Sequence, residues 1–146
     1  MFGQLLRIAK NYLRRFGTER ARWAARANSF QQLRANDSEA RGLKLLRGWL
    51  SPEQLAQYDA KNYFDVTGCD SGIRYRIRHG TSMNINEIDH AGHPGACWCF
   101  VPDTSLVAGD VMLAQKIALE TDERSALAVA NKFAPKETQR SVLLYF

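Results

Sequence analysis

The chain has 146 residues, 45% of them hydrophobic and 24% charged, and a formal net charge of +5. That length suits a single domain able to bury roughly two thirds of its unfolded surface. No apolar run approaches the ~18–20 residues of a membrane-spanning helix, the start lacks the apolar stretch of a secretory signal, and three cysteines at these spacings make no disulfide framework, so the expected compartment is the reducing cytoplasm.

The charge is unevenly spread. Residues 1–47 hold eleven Lys/Arg and three Asp/Glu, a surplus of +8, while residues 48–146 hold nine and twelve, a balance of −3. In "MFGQLLRIAKNYLRRF", Phe2, Leu5, Leu6, Ala9, Tyr12, Leu13 and Phe16 recur at intervals of three and four, which predicts an amphipathic helix with Arg7, Lys10 and Arg14 on the other side. Gly17 reads as its stop and Thr18 as the cap of a second helix carrying Trp23, Ala27 and Phe30 on one side. Asn36, Asp37 and Ser38 predict another break, with Ser38 capping a third helix through Trp49. Residues 1–50 are thus expected to form a basic helical arm that packs on a core of residues 51–146, one domain overall.

"SPEQ" is a capping box with proline at the first helical position, so a short helix should run from there to about Lys61. The period then drops to two. In "IRYRIRH", Ile73, Tyr75 and Ile77 share one face and Arg74, Arg76 and Arg78 the other. Pairing Val66 with Tyr75 and Phe64 with Ile77 keeps the apolar set together and sets Asp65 opposite Arg76. "MNINEI" follows as a strand with a bulge expected where Ile88 breaks the alternation, and "CWCFV" as the fourth.

Beyond "PDTSLVAG", Asp110 and Asp122 are expected to cap one or two helices that Pro135 ends, and "SVLLYF" is β-prone enough for a final strand. The expected fold is therefore α+β: N-terminal helices, an antiparallel meander of three or four strands, one or two helices and a short C-terminal strand. Leu46, Trp49, Leu55, Phe64, Val66, Tyr75, Ile77, Ile85, Trp98, Phe100, Leu113, Ile117, Leu127 and Val129 should form its core.

The chemistry-bearing stretch is "HAGHPGACWC". His90, His93, Cys97 and Cys99 have the donor types of a zinc site. Two cysteines two apart on an extended strand are separated by ~6–7 Å, further than thiolates on one zinc prefer. The competing reading is a hairpin turn around Pro94 followed by cysteines acting as small apolar residues. No Gly-rich phosphate loop, His-Glu-x-x-His or Gly-x-Ser-x-Gly is present, and Glu120, Asp122 and Glu123 read as caps and solvated surface, so no catalytic residue is predicted.

Several segments resemble an uncharacterised family of small bacterial and phage-borne proteins: "RYRIRHG", Asn84, Asp89, Cys99 and Pro102, "GDVMLAQKIALETDE" and "AVAN". The resemblance covers about half the chain. It implies an α+β domain of strands followed by a helix, and attaches no activity, cofactor or partner.

The functional expectation is a non-catalytic basic module for a polyanion, nucleic acid ahead of an anionic membrane surface, using Arg7, Lys10, Arg14, Arg15, Arg22, Arg26, Arg74, Arg76 and Arg78. The alternatives are a zinc protein built on His90, His93, Cys97 and Cys99, and an assembly factor that docks on a protein partner, or on itself, through the N-terminal helix.

Overall fold

The computed structural model describes residues 2–102 and 104–135, with side chains described at residue 14 and from residue 17 onward. The chain divides into two units, residues 1–38 and residues 39–146. Its elements are α1 (Phe2–Trp49), α2 (Pro52–Lys61), β1 (Tyr63–Thr67), β2 (Arg74–Arg78), β3 (Ile85–Ile88), β4 (Pro94–Cys99), α3 (Ala108–Thr121), α4 (Glu123–Val129) and β5 (Asn131–Phe133). The fold class is α+β, as the periodicities predict. "SVLLYF" lies outside the described residues.

One helix, α1, stands where three were expected. Gly17 does not stop it and neither Thr18 nor Ser38 caps a new start. A lone glycine costs a helix only about 1 kcal/mol relative to alanine. The Thr18 hydroxyl turns back to donate to the Arg14 carbonyl (3.2 Å), and Ser29 does the same to Ala25 (2.8 Å), so both act inside the helix. Ala21, Ala24, Ala25 and Ala27, with the arginines among them, are strong helix formers. No proline interrupts the run.

The second boundary behaves as read. Ser51 accepts from the Gln54 amide (3.2 Å) while the Gln54 side chain accepts from the Ser51 amide (3.1 Å). α2 ends at Asn62 in the left-handed conformation (φ 56°), its amide on the Tyr58 carbonyl.

The five strands form one antiparallel sheet in the order β1-β2-β3-β4-β5. The predicted register holds: Phe64 faces Ile77, Asp65 faces Arg76 and Val66 faces Tyr75. The bulge also falls where expected, with the β3–β4 register shifting between Asn86 and Ile88. β1 is an edge strand. Its outward backbone at Asp65 is filled by α2, the amide donating to Gln57 Oε1 (2.9 Å) and the carbonyl accepting from Gln54 Nε2 (3.0 Å).

Leu46, Leu50, Tyr58, Phe64, Val66, Tyr75, Ile77, Ile85, Ala108, Met112, Leu113 and Leu119 make the core, with Leu43, Leu55, Trp98, Phe100 and Leu127 packed against it. Three predicted members are corrected: Trp49, Ile117 and Val129 are exposed. In α3 the exposed positions Asp110, Ala114, Ile117 and Thr121 follow the helical period, so Ile117 rides on the solvent stripe. One cap and one helix end are corrected as well. Asp110 sits in the first turn of α3, whose N-cap is Val107 with no side-chain bond, and α4 ends at Val129, well before Pro135. Asp122 does cap α4, through Ser125.

Two glycines of α1 contrast in a useful way. A Cβ at Gly42 would meet Val107 Cγ2 at 2.7 Å, whereas one at Gly48 meets nothing within 4 Å. Gly48→Ala is expected to raise stability by about 0.5–1 kcal/mol, read from urea unfolding. A loss of stability would mean that a side chain at this turn of the helix meets a neighbour after all.

Candidate nucleic-acid interface

Residues 1–38 carry eight Lys/Arg and two Asp/Glu, a net charge of +6, and residues 39–146 carry twelve and thirteen, a net of −1. The charge imbalance therefore follows the division of the chain into units. Side chains of Arg14, Arg20, Arg22, Arg26 and Arg34 are exposed, and none forms an ion pair among the described residues. The side chains of Arg7, Lys10 and Arg15 lie outside the described residues. Trp23 and Phe30, which the spacing places on one side of a helix, are 77% and 69% exposed, and Leu33 is 65% exposed.

Within residues 39–146 several cations are already matched. Arg47 pairs with Asp59, Lys116 with Glu120 and Lys132 with Glu87. The strand arginines divide. Arg76 grips Asp65 through two bonds (2.8 and 3.0 Å) and lies 4.0 Å over the Tyr63 ring. Arg74 donates to the Asp89 carbonyl (2.8 Å) and stands 3.9 Å from the same Asp65. Arg78 is exposed, with no ion pair among the described residues. The face that looked like a uniform row of cations thus keeps one arginine unmatched.

The zinc candidates do not meet. Among the described residues, the His/Cys/Asp/Glu group whose ligand atoms lie within 4.8 Å of one another is Cys69, Asp70 and Glu123. His93 is exposed and its Nδ1 is 3.2 Å from Asp89, while His90 is exposed on the turn before it. The Cys97 thiol points to the Met83 carbonyl (3.6 Å), and Cys99 is buried. Burial, with Cys99 beside it, pushes the Cys97 thiol up, away from the thiolate that zinc binds.

Glu123 is the residue that sequence reasoning placed wrongly. It is 2% exposed rather than solvated. Its Oε2 accepts from the Asp70 and Ser71 amides (2.8 Å each), and its Oε1 from the Ser71 hydroxyl and from the Tyr75 hydroxyl (2.6 Å). Burial alone would raise its carboxyl, but the Ser71 and Tyr75 hydroxyls and the two amides together hold it below the usual glutamate range. With four donors on two oxygens, this carboxylate has its acceptor capacity taken by the β1–β2 turn, which leaves little to offer a metal. A polar cleft of about 410 Å³ beside β1 is lined in part by Gln54, Gln57, Asp65, Arg74 and Glu120, and these too are largely bonded to one another or to neighbours.

Comparison with family models, with curated proteins and with solved structures returned no match. Among the described residues no helix is long and apolar enough to cross a membrane.

Proposed function

We propose that the chain is a non-catalytic binding module whose basic helix engages a polyanion, with nucleic acid ahead of an anionic membrane surface. The observation that carries this is the +6 charge of residues 1–38 against −1 on the rest, together with arginines at 14, 20, 22, 26 and 34 that no described carboxylate neutralises. Phosphate attraction draws on such charge without reading sequence. The buried ionisable groups of the sheet-bearing unit, Lys116 and Glu123, spend their bonds on the fold, which accords with a binding role. All three cysteines are free, in keeping with a reducing compartment.

The test is a salt titration of binding to nonspecific DNA and RNA, followed by fluorescence anisotropy. Log K should fall linearly with log salt. Replacing both Arg22 and Arg26 by glutamine should lower the slope on duplex DNA by about 1.8, since each phosphate contact contributes about 0.9. Binding that is absent, or flat across ionic strength, defeats the proposal.

A further inference from the structure

We infer that the face formed by residues 20–34 binds single-stranded nucleic acid, stacking unpaired bases on Trp23 and Phe30 while the arginines between them hold the phosphates. This rests on the polyanion reading and narrows it to one class of strand.

Trp23 and Phe30 are seven residues apart, two helical turns, so they project along nearly the same line about 10.5 Å apart on the axis. Arg34 lies about 20° from the line through Trp23, and Arg20 and Arg26 about 60° to either side of it. All three arginines are exposed and none is ion-paired among the described residues. Rings and cations therefore alternate on one face, in the order Arg20, Trp23, Arg26, Phe30, Arg34.

That alternation decides between occupants. A lipid surface takes a helix whose apolar side is free of charge and whose cations stand opposite. Here the lipid would have to accept Arg34 and Arg20 together with the rings. A second copy of the helix is disfavoured for a related reason: a heptad seam through Trp23 and Phe30 puts Arg26 in the core in one register, and Arg20 and Arg34, with Ala27 between them, in the other, and each copy brings the same surplus of positive charge. Duplex DNA satisfies the arginines, but its bases are already stacked on one another and offer the rings nothing. An unpaired strand supplies both partners, open base faces for Trp23 and Phe30 and phosphates for the guanidinium groups.

The experiment compares a fluorescein-labelled thymidine oligonucleotide with the same oligonucleotide annealed to its complement, using the full chain at one salt concentration. The single strand is expected to bind at least tenfold more tightly. Trp23→Ala and Phe30→Ala should each weaken single-strand binding by about tenfold or more while leaving duplex binding unchanged. Trp23→Phe should retain most of the affinity. Both alanine substitutions fall at exposed helical positions, and circular dichroism checks that helix content is kept. Equal affinity for the two forms, or alanine variants that bind the single strand like the parent, overturns this inference and leaves the polyanion reading standing. Binding to neither form overturns both. Capture by phosphatidylserine vesicles with no oligonucleotide binding, lost in the alanine variants, makes this a membrane face and overturns the inference as well.

Discussion

Replacing Glu123 by alanine is expected to cost about 3–5 kcal/mol of folding free energy, a large part of the 5–15 kcal/mol that holds a typical domain together. The carboxylate is the common acceptor for the Asp70 and Ser71 amides and for the Ser71 and Tyr75 hydroxyls, and it fills the space beside Gly68. Without it, four donors from one turn and one core strand lose their partner together. The Tyr75 hydroxyl sits on a fully buried ring and is held protonated by burial and by the bond to Glu123.

The same site predicts a pH dependence. Glu123 has a folded-state pKa below its unfolded value of about 4.3, so its contribution is complete above that value. As pH falls through the lower folded pKa, the contribution disappears, because the unfolded chain takes up the proton more readily. Glu123→Gln should therefore lie furthest below the parent at neutral pH, and the gap should narrow below about pH 4. Urea unfolding at a series of pH values reads this directly. A gap that stays constant into acid would show that the charge of Glu123 contributes nothing.

Gly109→Ala is expected to destabilise by about 2–4 kcal/mol, the reverse of the gain expected at Gly48. The added Cβ would stand 2.2 Å from the Gly42 carbonyl carbon, 2.4 Å from its oxygen and 2.5 Å from the Leu43 nitrogen. These are backbone atoms, so no rotamer change makes room. α1 and α3 must separate, and Leu46 and Met112, both fully buried, lose packing with them. Thermal or urea unfolding of Gly109→Ala beside Gly48→Ala tests the contrast. A neutral or stabilising result at Gly109 would rule out the backbone-to-backbone crossing.

These two sites also show which parts of the structure could be read from the sequence. Contacts close along the chain were legible. The Ser51–Gln54 box, the pairing of Asp65 with Arg76 and the bulge near Ile88 each follow from residues within a short window. Glu123 meets Ser71 and Tyr75 across some fifty residues, and no local period encodes that meeting. The glycine crossing is similar, because Gly42 and Gly109 are informative only as a pair. The continuity of α1 was missed for another reason. Gly17 and "NDS" are stop signals of modest strength, and an alanine- and arginine-rich helix runs through them. The basic charge of the candidate interface was plain in the composition. The exposure of Trp23 and Phe30 was not, since helical spacing alone does not distinguish a stripe that packs from one that faces water.

The glutamines at the sheet's edge carry a consequence for assembly. By occupying the outward amide and carbonyl of Asp65, Gln54 and Gln57 block the middle of the hydrogen-bonding row that a foreign strand would need at β1. Among the described residues the opposite edge strand is β5, three residues long and exposed along its length. Replacing Gln57 by alanine should therefore free the Asp65 amide and make β1 a better edge for strand addition.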